Sequence, residues 1–251
     1  MDLAAALRWL RHARRILVFT GAGVSTESGI PDFRGPKGVW RTRDPSRYTI
    51  QMYVAHADVR RERWHDRLAS PIEDAAPNAA HLAITRLQEA GLAPVVVTQN
   101  IDGLHQLAGT KHVIELHGTT REAVCLECNR RLPVNTVLDR VREGDDDPHC
   151  ELCGGLLTTA TISFGQNLIA ADVDRAMEEA ALCDACLAVG STLSVWPAAG
   201  VPVHAVRNGA RLVIVNEGDT DLDHMADATV AGRAGDVVPA LVDALLAPAA
   251  T

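Results

Sequence analysis

Four cysteines in two close pairs constrain this chain more than any other feature. Cys125 and Cys128 form the first pair, and Cys150 and Cys153 form the second. Two Cys-x2-Cys pairs supply the four sulfur ligands of one tetrahedral Zn²⁺ ion. Thiolates then occupy all four coordination positions and leave none for a reactive water molecule, so the sequence predicts a structural zinc site. The neighbouring His149 is an alternative ligand that four cysteines make unnecessary.

Short apolar runs alternate with helical patterns on both sides of the cysteines. Such runs predict buried strands, and strands that alternate with helices indicate a parallel sheet covered on both faces. The predicted strands lie at 16–19, 94–98, 186–190 and 211–216, and the predicted helices at 3–13, 79–90, 173–182, 197–208 and 236–246. The predicted fold class is therefore α/β, with a Rossmann-like sheet.

Two stretches break this alternation and suggest how the chain is divided. Residues 36–77 predict a helical or loop insertion that belongs to a small domain, and residues 120–159 predict the zinc-binding module. The remaining segments, 1–35, 78–119 and 160–251, are predicted to form the Rossmann-like nucleotide-binding domain.

Composition excludes some classes of function. The net charge is −8, whereas a protein that grips a nucleic-acid backbone usually carries the opposite sign. No apolar run approaches the ~20 residues of a membrane span. The N-terminal residues do not resemble an export signal, and paired thiols suit a reducing compartment, so a cytoplasmic location is expected.

A glycine turn follows the first predicted strand. Gly21-Ala22-Gly23 allows backbone N–H groups to approach a phosphate closely. Thr26 stands where the dinucleotide fingerprint has its third glycine, and no acidic residue closes a strand about twenty residues later. The turn therefore predicts a nucleotide site of a variant kind.

Polar residues follow the strand predicted at 94–98. Gln99, Asn100 and Asp102 lie at its carboxyl end, where open α/β sheets bind ligands. Further on, His117 precedes Gly118 at the predicted domain junction and is a candidate general base. His81 is interpreted as a structural histidine, His105 as a residue that orients the 100–102 loop, and the Cys183/Cys186 pair as core residues.

These motifs together resemble the sirtuin family. The resemblance rests on residues 21–35, 98–105 and 117–118 followed by the four cysteines, in the order and spacing of that family, and it extends over about 3–246. It implies an NAD-dependent protein-lysine deacylase, an enzyme of the acyltransferase class, with a Rossmann-type domain, a small zinc-binding domain and the active site between them.

The resemblance also implies roles for particular residues. His117 would act as the base on a ribose hydroxyl, with Asn100 and Asp102 completing the catalytic group. The diphosphate and nicotinamide ribose of NAD⁺ would be bound by Gly21, Ala22, Gly23, Asp32, Phe33 and Arg34, and the ribose and carboxamide by Gln99, Asn100, Ile101 and Asp102. The phosphates would also contact Gly190, Ser191 and Thr192. The adenosine would be bound by Asn216, Glu217 and Ala234.

The substrate peptide would lie as an added strand between the domains. By the resemblance it would pair with Phe164-Gly165-Gln166 and Leu193-Ser194-Val195, although Gln166 replaces the family's glutamate. Neither Tyr48 nor Tyr53 has arginine three residues later, which argues against acidic acyl groups. The stretch 35–40 resembles branches in which longer acyl chains or ADP-ribosylation occur.

Several functions compete at this point. Deacylation, with acetyl-lysine as substrate, is the leading hypothesis, and transfer of ADP-ribose to a protein from the same NAD site is the alternative. A zinc-ribbon module for nucleic acid is disfavoured by the acidic charge, and an inactive NAD sensor by the presence of His117, Asn100 and Asp102. We expect a monomer with no direct nucleic-acid or membrane partner.

Overall fold

The computed structural model describes residues 3–33, 35 and 38–248, and its largest part is a six-stranded parallel sheet. The sheet order is β3-β2-β1-β7-β8-β9, and the remaining three strands form an antiparallel sheet in the order β5-β4-β6. In chain order the strands are β1 (Ile16–Thr20), β2 (Val96–Thr98), β3 (Val113–Glu115), β4 (Gly118–Cys125), β5 (Arg131–Pro133), β6 (Leu157–Thr161), β7 (Ala185–Val189), β8 (Arg211–Asn216) and β9 (Ala228–Ala231).

Helices cover both faces of the parallel sheet. In chain order the described α-helices are α1 (Leu3–Leu10), α2 (Ile50–Ala55), α3 (Ala57–Leu68), α4 (Ala79–Glu89), α5 (Leu104–Leu107), α6 (Val134–Arg142), α7 (Ala170–Leu182), α8 (Gly200–Arg207) and α9 (Ala234–Leu246). Those with residues in the cores of the parallel sheet are α1, α4 and α9 on one face and α7 and α8 on the other. Alternate residues of β1 face opposite cores: Ile16 and Val18 pack with α1, α4 and α9, whereas Leu17 and Phe19 pack with α7 and α8. This arrangement confirms the predicted α/β class.

The small antiparallel sheet has a core of its own. This core contains Cys150, buried residues of β4 and α6, and Trp64 of α3. The insertion at 36–77 therefore packs on the cysteine module through α3. Strand β4 begins at Gly118 and β6 ends at Thr161, so both strands cross the limits 119/120 and 159/160 of the proposed domain division.

The predicted elements differ from the observed ones mainly at their ends. Helix α1 stops at Leu10 rather than at residue 13, because the backbone N–H groups of Arg14 and Arg15 donate to the Asp184 carboxylate and turn the chain into β1. Strands β3 and β9, the two edges of the parallel sheet, were not predicted. Among the described residues, no helix is both long enough and apolar enough to cross a membrane.

Candidate active site

The carboxyl ends of three neighbouring strands define the site. Thr20 of β1 is in register with Thr98 of β2 on one side and with Val189 of β7 on the other. The residues that follow these strands are Gly21, Gln99 and Gly190. Three of the predicted ligand-binding loops therefore begin side by side at the carboxyl edge of the sheet, which is where open α/β sheets bind ligands.

Glycine allows two of these loops to touch. The Gly23 N–H donates to the Gly190 carbonyl at 2.8 Å, and a Cβ on Gly23 would lie 2.8 Å from the Gly190 Cα. Gly190 has φ +62°, and a Cβ there would lie 2.3 Å from the nitrogen of Val24. The third loop, which starts at Gln99, is connected to the loop that starts at Gly190, because Gln99 Nε2 donates to Ser191 Oγ at 2.9 Å. The turn 21–23 and the loop that starts at Gly190 therefore need glycine for packing.

A buried serine connects the predicted catalytic residues Asn100 and Asp102. Ser25 Oγ donates to Asp102 Oδ2 at 2.8 Å and accepts from Asn100 Nδ2 at 3.1 Å. Asp102 Oδ1 accepts from the Leu104 N–H, and all three side chains are buried. The amide and the carboxylate are therefore held in fixed orientations before any ligand binds.

Two buried histidines support this network. The N–H of Asn78 donates to His81 Nδ1, so the proton lies on Nε2, which faces Ser25 Oγ at 3.5 Å. His105 Nε2 contacts Thr20 Oγ1 at 3.0 Å, and the two imidazole rings meet edge to face. Thr20 Oγ1 donates to Thr98 Oγ1, which accepts from the Asn100 N–H, so His105 is linked to the 100–102 loop through two threonines.

Burial keeps both imidazoles neutral. Desolvation lowers the pKa of His81 to about 4, against an opposing effect of Asp102, and lowers the pKa of His105 to about 3, with His81 adding to the shift. The unfolded chain would titrate these groups near 6.5. Their stabilising effect is therefore complete above pH 6.5 and is lost as the pH falls towards 4.

We expect this pair to make the protein acid-sensitive. Between pH 7 and pH 5 each histidine should reduce the free energy of unfolding by about 2 kcal/mol. Urea unfolding at several pH values measures this. In His105→Gln the amide nitrogen can still donate to Thr20 but does not titrate, so its curve should fall less steeply than that of the wild type. Parallel curves would contradict the assignment.

His117, the candidate base, lies between β3 and β4 and is half-buried. Its Nδ1 is 2.9 Å from the backbone carbonyl of Gln99. A carbonyl oxygen only accepts, so Nδ1 carries the proton and Nε2 keeps a free lone pair. Burial lowers the pKa of His117, although the Gln99 contact opposes the shift. The imidazole is thus suited to accept a proton at neutral pH.

Four aromatic rings form a cluster that includes Phe33, a residue of the 21–35 stretch. Trp40 lies 5.3 Å from Phe33, 5.8 Å from Phe164 and 5.1 Å from Tyr48, measured between ring centroids. Phe33 and Phe164 are partly exposed. Trp40 thus connects a residue predicted to bind NAD⁺ with one predicted to contact the peptide. The Asp32 carboxylate accepts from the Gly35 N–H, and Arg34 lies outside the described residues.

The main chain of Phe164 is already paired. Its N–H donates to the Tyr48 carbonyl, and its own carbonyl accepts from the Ile50 N–H. Gln166 turns back, because its side-chain oxygen accepts from the Ser163 N–H. A peptide strand added here would therefore have to begin its pairing at Gly165. On the opposite side, Leu193 is buried with φ +55°, and Ser194 and Val195 are half-buried.

The remaining predicted residues lie further along the same edge. Ile101 is bonded through its carbonyl to Thr120, and Thr192 is exposed. Asn216 ends β8 and is half-buried, Glu217 is exposed, and Ala234 begins α9. Asn216, Glu217 and Ala234 remain candidates for the adenosine side, Ile101 for the carboxamide and Thr192 for the phosphates.

The four paired cysteines converge. Their sulfur atoms all lie within 4.8 Å of one another, with Cys125 and Cys153 at 3.5 Å and Cys128 and Cys150 at 3.8 Å. A tetrahedral ion with Zn–S bonds of about 2.3 Å separates its ligands by about 3.8 Å. The four cysteines are therefore placed to bind a zinc ion. His149 is not one of this group, since its Nδ1 contacts the Gly154 carbonyl.

Cys183 and Cys186 are core residues, as predicted. Both are buried between the sheet and helices α7 and α8. Burial raises the pKa of Cys183 to about 11 and that of Cys186 well above its usual value, so neither thiol is poised to react.

Comparisons of the sequence agree with this geometry. The Sir2 family profile matches residues 21–197. A protein of Streptomyces coelicolor named NAD-dependent protein deacetylase 2 is 46% identical over 235 residues, which is 92% of this chain and 97% of that protein. A Caldivirga maquilingensis protein named NAD-dependent protein deacetylase is 43% identical, with 88% of this chain and 85% of that protein covered.

Solved structures show the same architecture. A Sir2 structure with a deacetylated p53 peptide and 3'-O-acetyl ADP-ribose superposes with a TM-score of 0.90 at 35% identity, covering 97% of this chain and 98% of that one. Sir2Tm bound to a propionylated peptide gives 0.87 at 34% identity, with the same coverage. Sequence profile, curated relatives and fold agree, and the chain belongs to the Sir2 family.

Proposed function

We propose that this protein is an NAD-dependent protein-lysine deacylase, with acetyl-lysine as its main substrate. The observation that carries the proposal is the neutral His117, whose Nδ1 is held by the Gln99 carbonyl so that Nε2 keeps its lone pair. The names of the curated relatives support the same activity, and none of those cited above is named an ADP-ribosyltransferase.

The site fits a dinucleotide at the carboxyl edge of the sheet. The stretch 21–23 carries no side chain larger than a methyl group, and buried Asn100 and Asp102 are held by Ser25. NAD⁺ supplies the electrophilic ribose carbon and the nicotinamide leaving group. In the proposal, the turn faces the diphosphate, and Asn100 and Asp102 orient the nicotinamide ribose and carboxamide, while the loops keep water out.

His117 takes the role of general base. The Gln99 carbonyl fixes the Nδ1 proton, so Nε2 is the atom that accepts a proton from a ribose hydroxyl. The peptide lies between Gly165 and the 193–195 segment, and the aromatic cluster of Phe33, Trp40, Tyr48 and Phe164 borders the acyl group. The zinc ion is structural, and we further propose a cytoplasmic monomer.

Mass spectrometry of acylated peptides tests this function. Acetyl-, butyryl-, myristoyl- and succinyl-lysine peptides are incubated with the protein, with and without NAD⁺. We expect NAD-dependent loss of the acetyl group and little reaction of the succinyl peptide. A protein acceptor that gains the mass of ADP-ribose while every peptide stays unchanged would favour the transferase instead.

A further inference from the structure

The carboxylate of Glu27 occupies the N-terminus of helix α9. Glu27 belongs to a 3-10 helix, Ala22–Ser28, and Gly21 and this helix together form the glycine loop, residues 21–28. Its Oε2 accepts from the Gly235 N–H at 2.5 Å, and its Oε1 pairs with Arg233 Nη2 at 2.9 Å. The side chain is only 16% exposed. Both carboxylate oxygens therefore bind the start of α9, where a negative charge is favoured.

Glycine at position 235 makes this contact feasible. A Cβ there would lie 2.4 Å from Glu27 Oε2. Helix α9 itself is firmly anchored, because Val237, Val238 and Leu241 are fully buried in the core shared with α1 and α4. Glu27 thus attaches the glycine loop to a fixed element.

The 3-10 helix needs such external support. Its hydrogen-bond geometry is poorer than that of an α-helix, and no side chain caps its start at Gly21. Contacts hold it from the sides of β7, α4 and the 100–102 loop: the Gly23 N–H donates to Gly190, Asn78 Nδ2 donates to the Val24 carbonyl at 2.8 Å, and Ser25 bonds to Asp102 as described above. Glu27 supplies the support from a further side, where α9 follows β9.

We propose that Glu27 is a positioning residue that holds the glycine loop in the arrangement that binds NAD⁺. The inference rests on the proposed function for the identity of the ligand. Without the Glu27–α9 contact the loop populates other arrangements, and the apparent affinity falls in proportion to the competent fraction. Loss of a charge-assisted hydrogen bond should weaken NAD⁺ binding about tenfold.

Two substitutions test the contact from its two ends. Glu27→Ala removes the carboxylate, and Gly235→Ala displaces it. Each should raise the Kd for NAD⁺, measured by calorimetry, and the KM for NAD⁺, with the KM for peptide unchanged. If both act on one contact, Gly235→Ala should raise the Kd for NAD⁺ little further when Glu27→Ala is already present. Glu27→Gln should raise the Kd less than Glu27→Ala does, because its amide oxygen still accepts from the Gly235 N–H. Exposed Glu89, replaced by Gln, is the matched control.

Hydrogen exchange of the free protein separates the contact from the ligand. Amides at 22–28, in the glycine loop, should exchange faster in Glu27→Ala than in wild type. A folded Glu27→Ala protein whose Kd stays within twofold of wild type, or whose two substitutions are additive, would overturn the proposal. A wild-type protein that fails to bind NAD⁺ would overturn the proposed function instead, and the exchange measurement would then decide whether the contact holds the loop.

Discussion

His117→Ala should lower the kcat of deacylation by about 10²- to 10⁴-fold, the usual contribution of a positioned general base. The substitution removes the Nε2 lone pair and the Nδ1–H that donates to Gln99. NAD⁺ binding should change little, because the loops that start at Gly21 and Gly190 are held by other contacts. Steady-state kinetics with an acetylated peptide and calorimetry with NAD⁺ measure the two effects separately.

His112 provides the control for this substitution. It precedes the same strand, β3, but its side chain is exposed, and only its backbone carbonyl bonds to the sheet. His112→Ala should keep kcat within about twofold, in line with other exposed surface changes. If His117→Ala retained wild-type kcat, or if both variants lost activity alike, the assignment of the base would be wrong.

Removal of zinc should unfold the cysteine module and abolish activity with it. Its core is small, and Cys125 and Cys150 are part of that core. Binding to zinc contributes directly to the folding of such modules, and a missing ligand weakens binding strongly. We expect Cys125→Ala to lose bound zinc and to lower the melting temperature by about 10 °C or more, as judged from the usual effect of several kcal/mol. Metal analysis and calorimetry test this.

Cys183→Ala is the matched comparison, since this buried thiol lies outside the cluster. It should keep the zinc content of the wild type and lose only the roughly 1 kcal/mol expected for a small core truncation. A Cys125→Ala protein that stayed folded, bound NAD⁺ and was merely slower would show that the module folds without its metal.

The sequence predicted the central strands but not the edges of the sheet. β7 and the first four residues of β1 are buried and apolar, which produces a clear signal. β3 and β9 have only 3 and 4 residues and alternate in burial, so their patterns are too short to stand out. β4 was missed for another reason: its register against β6 shifts between Gly118 and Ala123, and Thr119 and Thr120 carry little apolar signal.

The candidate site was predicted as motifs rather than as contacts. The glycine turn, the 99–102 loop and His117 could be located because each follows or precedes a recognisable strand. The link from His81 to Ser25 could not, because the two residues are 56 positions apart and only the fold brings them together. Ser25 and Glu27 lay inside the recognised 21–35 stretch, but a local pattern cannot reveal that their partners are Asp102 and Gly235.

The pairing of Phe164 with the 48–50 segment has a consequence for engineering and evolution. Because the N–H and carbonyl of Phe164 bond to Tyr48 and Ile50, the insertion and the proposed peptide-binding segment form one hydrogen-bonded unit. A chimera that exchanged only the insertion between relatives would disturb these hydrogen bonds. Exchanging 38–77 together with 162–166 should transfer substrate preference intact, and natural variation in the two segments should be correlated.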